Sequence, residues 1–522
     1  MKKHNSFFKA GAALVASGFA VKLLSAAYRI PLTRMLGAGA MGRYSSVFSL
    51  FLPFFSFATA GIVPCVSRFA ASVPPQYGTK AVVQKAFGIY IPFAAVMTVL
   101  FVLFGAFYGW YMQDGIFFAG AVILSPCIVF AVVETVYKGA TQGRMNMNIT
   151  AVSNLLESVS KTVLGIGGVY ILKYLLENTD GDTAVAACLL SVTASGLICA
   201  VYLFCAGREG KNAARCPPQY IPAAKQMLSM SVPVCASALA VSAIGFFDTA
   251  VCLPIIKGLP YTEIVRSYGN ASFMSAGEIS IYLYGIYQGM VLTLFNLVPA
   301  MVAPVGTACM PLMAMSYTNG NRKRLEHQTD VLLRVVAAAG IPCSVFVMCN
   351  GGDIVQFLFG TTHSQTVVAQ RLLCVLMPFC PLCCFTFAFN TVLNACGRSG
   401  TAFRILLFAA AVRCSVNIAL CGIPAVNIRA FAISSGVFYL LLFLLGAFFI
   451  AQKGICSRLV KAVAVPMVSS IAIMGAIQLL HPVLFASIPL FVRLVLKGLV
   501  FCLAYAVVLF VTGFAVDIRM EK

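Results

Sequence analysis

The sequence predicts an all-α polytopic membrane protein with about fourteen transmembrane helices. Two features of the composition predict this class, since 61% of the 522 residues are hydrophobic and only 10% are charged. A soluble domain carries roughly 25% charged residues. The third observation is that apolar stretches of about 20 residues recur along the whole chain, each long enough for a helix to cross a hydrocarbon core of roughly 30 Å. A soluble enzyme is therefore excluded.

Apolar runs between charged or Pro/Gly-rich breaks place the individual spans. In the first half they lie near 8–28, 44–66, 86–109, 116–137, 149–172 and 184–206. In the second half they lie near 226–256, 279–314, 328–350, 366–395, 401–422 and 429–450, and a final pair lies near 459–480 and 489–513. The run at 279–314 is long enough to be bent.

A short internal repeat divides these spans into two lobes. Gly143-Arg144, between the fourth and fifth spans, recurs as Gly397-Arg398 between the tenth and eleventh. Equivalent positions six helices apart favour two six-helix lobes in the same orientation, an arrangement that many secondary transporters share. The predicted domains are an N-terminal lobe at 1–206, a cytoplasmic linker at 207–225, a C-terminal lobe at 226–450 and two additional helices at 451–522.

The distribution of basic residues predicts the orientation. The net charge is +21, from 36 Lys+Arg and 15 Asp+Glu. With the N-terminus inside, roughly 22 of the basic residues fall in inner loops and roughly 9 in outer loops, as the positive-inside rule requires. Both termini are predicted to be cytoplasmic, in a bacterial plasma membrane. Lys2-Lys3 before the first apolar run would also fit a cleaved signal peptide.

Several kinds of chemistry are disfavoured by what the sequence contains. The 20 cysteines are scattered through apolar runs, where Cys behaves as a small hydrophobe. Cys380, Cys383 and Cys384 lie inside a span with no His nearby, so packing is favoured over a metal or redox site. The sequence has neither a phosphate-binding loop nor an H-E-x-x-H motif. We expect no metal, no cofactor, no nucleic-acid partner and no bond-making chemistry; the protein is predicted to move a substrate.

Ionisable residues inside spans are the first functional candidates, because a charge in hydrocarbon is costly without a partner or a wet cavity. Lys22, Arg29 and Arg34 lie in or beyond the first span. Lys22 and Arg29 are seven residues apart, so they share one helix face. A cationic face suits a diphosphate or another anionic headgroup. The alternative is that Arg29 and Arg34 only extend to the outer headgroups.

Two acid–base pairs have the four-residue spacing that lets neighbours on one helix neutralise each other. They are Glu134 with Lys138 in the fourth span and Glu157 with Lys161 in the fifth. Self-satisfied ion pairs are the simpler interpretation. Glu157 and Lys161 are also candidates for a polar cavity wall that contacts substrate.

Polar groups in the seventh and eighth spans complete the candidate set. Asp248 has no cation within one turn of its own helix, so it could bind a proton or a sodium ion, or pair with Arg413 or Lys161 from another helix. Asn296 and Pro299 put a polar group and a helix breaker into the eighth span, a pattern found in the moving or cavity-lining helices of transporters and also in simple packing kinks.

Motifs along nearly the whole chain resemble one family. Tyr28-Arg29-Ile30-Pro31-Leu32-Thr33-Arg34-Met35-Leu36-Gly37-Ala38, followed by Gly42-Arg43-Tyr44, resembles the first-helix signature of the stage V sporulation protein B group. That group belongs to the polysaccharide-exporter and lipid II flippase branch of the multidrug/oligosaccharidyl-lipid/polysaccharide exporter superfamily. The resemblance continues through Gln142-Gly143-Arg144, Asn296-Leu297-Val298-Pro299, Gly397-Arg398 and Pro424-Ala425-Val426-Asn427.

The resemblance implies a two-lobed transporter that flips undecaprenyl-diphosphate-linked sugars, such as lipid II, by alternating access. It implies that Arg29, with Lys22 and Arg34, engages the diphosphate and that Asp248 takes part in Na⁺ or H⁺ coupling. The implied partners are the lipid-linked glycan, the bilayer and cell-wall synthesis proteins. Ile30 follows Arg29 where lipid II flippases often carry an acidic residue, and the eighth span has no central Arg. These differences weaken the assignment of lipid II as the cargo more than they weaken the assignment of a related polyprenyl-linked glycan.

Two other classes of protein fit the sequence less well. A cation-coupled multidrug exporter of the same superfamily would more often need a carboxylate-rich cavity, whereas the buried charges here lean basic. A membrane-embedded transferase would need an acidic or His constellation at a membrane face, which the sequence does not offer. The sequence leaves open the glycan, the coupling ion, the oligomeric state and the choice between vegetative and sporulation roles.

Overall fold

A computed structural model describes residues 2–74, 76–175, 180–207, 217–260, 276–452, 459–480 and 488–512. Within the first helix, the side chains of residues 2–20, 22, 23 and 26 lie outside the described set. The described residues fold into helices joined by short loops. They form two compact units, one comprising Met1–Gly258 with Gly277–Gly285 and the other comprising Leu259–Ala276 with Ile286–Lys522.

Helices of membrane-spanning length confirm the predicted class. Thirteen stretches of the described chain are long and apolar enough to cross a membrane, from Ala27–Ser72 to Leu490–Val511. Their outward faces are apolar, as on Lys80–Met112, where Val99, Leu103 and Trp110 are exposed. These faces suit contact with lipid. The chain is therefore a multi-pass membrane protein, while the orientation of its termini stays a prediction.

Among the described residues, eight helices begin in the first unit. They are α1 (Lys2–Thr59), α2 (Ile62–Ser72), α3 (Lys80–Met112), α4 (Ile116–Gly143), α5 (Met147–Tyr170), α6 (Gly181–Ala206), α7 (Ala224–Phe247) and α8 (Leu253–Lys257). A π-helical turn, Ile171–Leu175, extends α5, and another, Asp248–Cys252, joins α7 to α8. Helix α9 (Ala276–Ile286) contributes Gly277–Gly285 to this unit, and its first and last residues belong to the second.

Gly37 interrupts α1 and separates the predicted first and second spans. Its φ of 76° and ψ of 175° are not helical. A positive φ is readily adopted by glycine, which has no Cβ to clash with the backbone. The chain therefore turns at Gly37 without a long loop, and the two arms of α1 correspond to the spans predicted near 8–28 and 44–66.

The second unit contains the remaining helices. They are α10 (Leu292–Thr318), α11 (Arg322–Phe359), α12 (His363–Leu376), α13 (Cys380–Ala395), α14 (Ser399–Cys421), α15 (Arg429–Ala451), α16 (Leu459–Leu480) and α17 (Leu490–Val511). The π-helical turn Tyr287–Val291 precedes α10. Gly277–Gly306 forms one continuous span that includes this turn, so the long run predicted at 279–314 is not divided there.

Helix α10 continues through Pro299, and the carbonyl group that the proline leaves without a helical donor accepts a hydrogen bond from another helix. Proline has no N–H to bond the carbonyl four residues earlier, which here is that of Phe295. The Cys380 thiol donates to this Phe295 carbonyl with a donor–acceptor distance of 3.8 Å. Cys380, Cys383 and Cys384 are buried free thiols.

The last helix, α17, is joined to α11 by polar contacts. Arg493 of α17 lies 3.0 Å from a carboxylate oxygen of Asp353, and the Lys497 ammonium donates to Asn350 Oδ1 at 3.2 Å. Lys497 is only 1% exposed, so this network supplies the partners that a buried ammonium requires. The predicted lobes at 1–206 and 226–450, and the appended pair at 451–522, stay predictions. Residues 208–216 of the predicted linker lie outside the described residues.

Glycines let α1 and α9 approach until their backbones touch. A Cβ at Gly285 would collide with the Ala38 carbonyl oxygen, and one at Gly42 would collide with the Ile281 carbonyl oxygen. Both neighbours are backbone atoms, so neither can move aside as a side-chain end would. This contact holds the second arm of α1 against α9 within the first unit.

Gly285→Ala should destabilise the protein by about 1–3 kcal/mol, the usual effect of overpacking. The measurement is the thermal unfolding midpoint of the full chain in detergent. Gly39→Ala is the matched control, because a Cβ there meets no atom within 4 Å. Alanine at position 39 should leave the midpoint unchanged or raise it slightly. Equal midpoints for the two variants would contradict the close approach.

Candidate anion-binding site in the first unit

The basic residues of the first helix lie on the arm of α1 before Gly37. Arg29 is partly exposed and Arg34 is exposed. Lys22 is on the same arm, but its side chain lies outside the described set. The Thr33 hydroxyl donates to the Arg29 carbonyl at 2.8 Å, which supports the backbone around Pro31. Arg29 and Arg34 are thus available on the helix that the sequence singles out.

Lys161 is brought to the same part of α1 by the packing of α5 against it. Its ammonium lies 5.6 Å from the centre of the Tyr28 ring and 5.0 Å from that of Phe48. A Cβ at Gly165, one turn further along α5, would collide with the Tyr28 ring, so the glycine allows this approach. Because Lys161 is partly exposed, cation–π contacts of this kind contribute roughly 0.5–1 kcal/mol each. Lys161 and Arg29 therefore come from adjacent helices beside Tyr28.

Glu157 does not pair with Lys161 in the described part of the chain, although the two are four residues apart. Its carboxylate lies 3.7 Å from the ammonium of Lys138. The same ammonium contacts Glu134 directly, so the predicted pair of Glu134 and Lys138 is formed. Glu134 is 5% exposed and Lys138 is 9% exposed. One buried ammonium thus bridges carboxylates from α4 and α5, and Lys161 is left without a carboxylate partner among the described residues.

The same cluster contains three atoms that could ligate a cation. One carboxylate oxygen each from Glu134 and Glu157 and the Cys199 sulfur lie within 4.8 Å of one another. The Lys138 ammonium lies against both carboxylates and offsets one of their two negative charges. The Cys199 thiol donates to the Ser153 carbonyl at 3.4 Å. The arrangement is a charge bridge between α4 and α5.

Asp248 and Asn296, the other two predicted site residues, lie elsewhere. Asp248 is 3% exposed and begins the π-helical turn after α7. The next residue, Thr249, contacts the Tyr284 hydroxyl at 3.0 Å. Asn296 is on α10 in the second unit, and its side chain is exposed. The structure therefore groups Arg29, Glu157 and Lys161 in one unit with Asp248, and it puts Asn296 in the other.

Sequence reasoning missed the aromatic rings and the bridging role of Lys138. Tyr28 is adjacent to Arg29, but nothing in the sequence indicates that its ring would meet Lys161. Phe48 follows Gly37 by eleven residues, and only the turn at Gly37 brings it alongside α5. The signal that was present is the four-residue spacing of Glu134 and Lys138.

The fold defines a class of protein: a polytopic helical membrane protein, in which Arg29 and Lys161 lie on adjacent helices of the first unit. Residues 7–317 match the family described as "Polysaccharide biosynthesis protein", which is more than half of the chain, so the chain belongs to that family. Residues 288–419 also match the family described as "MatE". These matches place the chain in the multidrug/oligosaccharidyl-lipid/polysaccharide exporter superfamily.

Two curated relatives come from Bacillus subtilis (strain 168). "Stage V sporulation protein B" is 21% identical over 443 residues, covering 82% of this chain and 80% of the relative. "Lipid II flippase MurJ" is 21% identical over 427 residues, covering 76% and 74%. The solved structure "Lipid II flippase MurJ, inward closed conformation" aligns with a TM-score of 0.70 at 14% identity, over 96% of this chain and 98% of that one. The structural likeness confirms the predicted fold, and the relatives are transporters.

Lys138→Met should lower the stability of the protein by about 3–5 kcal/mol, because it leaves two carboxylates in the membrane interior without their counterion. The measurement is thermal unfolding of the purified full chain. Lys161→Met is the control: it removes an ammonium that has no carboxylate partner, so it should remove no more than about 2 kcal/mol of cation–π interaction. Similar losses in both variants would contradict the bridge.

Proposed function

We propose that the protein translocates an undecaprenyl-diphosphate-linked oligosaccharide, either lipid II or a related cell-wall or polysaccharide precursor, across the cytoplasmic membrane by alternating access. The observation that carries this proposal is the position of Lys161. Its ammonium lies over the ring of Tyr28, the residue that precedes Arg29 in the chain, and it forms no ion pair with Glu157, the carboxylate one turn away. A cationic site of this kind favours an anionic cargo.

The chemistry of a diphosphate fits the two side chains. A guanidinium binds phosphate oxygens bidentately, and an ammonium acts as a compact point charge. Both are stronger ligands in a low-dielectric interior than in water. The sugar headgroup would otherwise have to leave water for hydrocarbon, where its hydroxyl groups have no hydrogen-bond partners. A cavity that holds the headgroup while the polyprenyl tail stays in lipid removes that barrier.

The remaining predicted residues have subordinate roles in this proposal. Lys22 and Arg34 extend the cationic face of the first helix, and Glu157 and Asn296 offer acceptors to the sugar hydroxyls. Asp248 is the residue proposed to bind the Na⁺ or H⁺ that drives transport. The relatives named for stage V sporulation and for lipid II support a cargo of the cell-wall precursor class.

A cation-coupled multidrug exporter is the second candidate. The match of residues 288–419 to the "MatE" family favours it. A cavity for cationic drugs needs carboxylates that are not already neutralised. In the first unit, Glu134 and Glu157 share the Lys138 ammonium, so at most one of their two negative charges is left for a cationic drug, which argues against this candidate.

Arg29→Ala and Lys161→Gln should each reduce flipping at least about tenfold, because a hydrogen bond to a charged group contributes roughly 1.5–3 kcal/mol. The assay is rescue of a bacterium depleted of its own lipid II flippase, with outer-leaflet lipid II measured directly. Arg324→Gln, which removes an exposed charge on α11, is the control and should rescue as well as the wild type.

Expression and membrane insertion are matched in every strain. Full rescue by both site variants would overturn the role of the cationic site. If a correctly inserted wild type fails to rescue, another polyprenyl-linked glycan becomes the favoured cargo in place of lipid II. Capsule, teichuronic or spore-wall precursors would then be tested in the same way.

Asp248→Asn should abolish the dependence of transport on a sodium or proton gradient while leaving the folded protein intact. Asparagine has nearly the same shape but cannot carry the negative charge that attracts a cation. The measurement is transport in proteoliposomes with and without each gradient. Glu326→Gln, a change in an exposed acid on α11, is the control. If transport by Asp248→Asn depends on the gradient as much as transport by the wild type does, the proposal that this carboxylate couples transport to an ion is contradicted.

A further inference from the structure

The chain passes from α7 to α8 through one wide turn of helix, Asp248–Cys252, which begins at the carboxylate proposed for ion coupling. The Leu253 amide donates to the Asp248 carbonyl, five residues earlier, where an α-helix would use the carbonyl four residues earlier. Such a turn adds one residue to the helix. Because an α-helix rotates about 100° per residue, the residues before the turn are rotated by about that angle relative to those after it. The geometry of the turn therefore sets the direction of Asp248 relative to α8.

Pro254 leaves one carbonyl in this region without a backbone donor, because proline has no N–H. In an α-helix this carbonyl would be that of Ala250, four residues before the proline. In the π-helical turn it is that of Thr249, five residues before. A buried carbonyl without a donor is costly. The preferred geometry thus depends on which of the two carbonyls receives a donor from elsewhere.

Tyr108 of α3 supplies that donor to Thr249. Its hydroxyl donates to the Thr249 carbonyl at 2.5 Å. Tyr108 is 2% exposed and Thr249 is fully buried, so water cannot easily replace this hydrogen bond. The Thr249 hydroxyl also contacts the Tyr284 hydroxyl of α9, at 3.0 Å, and all three residues belong to the first unit. The hydrogen bond from Tyr108 therefore favours the π-helical turn over a continuous α-helix.

We propose that Tyr108 is a positioning residue for Asp248: by donating to the Thr249 carbonyl it selects the π-helical turn, and the turn holds the carboxylate in its buried position. Asp248 is 3% exposed in this geometry. A return to α-helical hydrogen bonding would rotate it by about 100° relative to α8. Tyr108 acts through the backbone and not by contact with cargo or ion. Its part in transport rests on the ion-coupling function proposed for Asp248, whereas its effect on the position of the carboxylate does not.

The position of Asp248 can be measured without transport, by its reaction with dicyclohexylcarbodiimide, an apolar reagent that couples to carboxyl groups. Labelling is quantified by peptide mass spectrometry of the full chain in detergent. Tyr108→Phe removes only the donor and should raise the labelling rate of Asp248 about fivefold or more, the ratio that corresponds to one unsatisfied buried carbonyl. Rotation of a side chain that is 3% exposed makes it more accessible. Tyr111→Phe is the matched control, because it removes an exposed hydroxyl from the same helix, and it should label as the wild type does.

A second variant separates positioning from a general loss of packing. Pro254→Ala gives residue 254 an amide, so neither geometry leaves a carbonyl without a backbone donor. In the Pro254→Ala chain, Tyr108→Phe should therefore change the labelling of Asp248 less than about twofold, since a pair of changes that share one hydrogen-bond partner is not additive. A purely structural role of the hydroxyl would give the same change in both chains. Size-exclusion profiles and unfolding midpoints establish that each variant is folded.

Transport in proteoliposomes tests the consequence for coupling. Tyr108→Phe should raise the half-saturating concentration of the coupling cation by about the same factor as the labelling rate, with a smaller change in the maximal rate. If Asp248→Asn keeps the gradient dependence of the wild type, the coupling function fails, and the labelling still decides whether Tyr108 positions the carboxylate. The positioning role is overturned if Tyr108→Phe and Tyr111→Phe label alike, or if Tyr108→Phe has the same effect with and without Pro254→Ala. An unchanged half-saturating concentration, with coupling through Asp248 intact, would overturn its part in transport.

Discussion

The contact of Lys138 with two carboxylates decides the charge pattern of the first unit. Four ionisable side chains lie on α4 and α5, two acidic and two basic, and pairing within each helix would have neutralised all of them. Because Glu157 lies against Lys138 and not against Lys161, one ammonium is spared and is held by the rings of Tyr28 and Phe48. Pairing between helices therefore replaces pairing within each helix. Lys138 bridges α4 and α5, and Lys161 is left without a carboxylate partner among the described residues.

The same dependence on interhelical distance explains what the sequence could and could not predict about the site. A four-residue spacing brings Glu157 and Lys161 within reach of each other, and it does so equally for Glu134 and Lys138. The choice between partners on the same helix and on a neighbouring helix depends on how closely α4, α5 and α1 pack. That closeness is set by small residues such as Gly165, where a Cβ would strike Tyr28. Sequence periodicity predicts which residues share a face, but not which face meets which ring.

The fold was predictable to a greater extent, because the hydrocarbon thickness imposes a length on every span. The segments predicted at 226–256 and 459–480 agree closely with Ala224–Lys257 and Ala462–Leu480. The interruptions were less predictable. Pro299 was the obvious breaker, yet α10 continues because the Cys380 thiol donates to the carbonyl of Phe295. Gly37, one of several glycines in its neighbourhood, turns the chain because its φ is positive, a property that only the folded backbone reveals.

Repeated sequence elements can therefore diverge in role without diverging in residue type. Gly143-Arg144 and Gly397-Arg398 both connect consecutive spans, and a guanidinium at such a position needs acceptors. The loop after α2 supplies backbone carbonyls to Arg144, so that arginine has become part of the fold. Around Arg398 the described neighbours are the apolar ends of α13 and α15 together with the first turn of α14, which contribute surface and positive potential but no acceptor to the side chain. The requirement is the same at both positions, but among the described residues only the Arg144 side chain has hydrogen-bond acceptors.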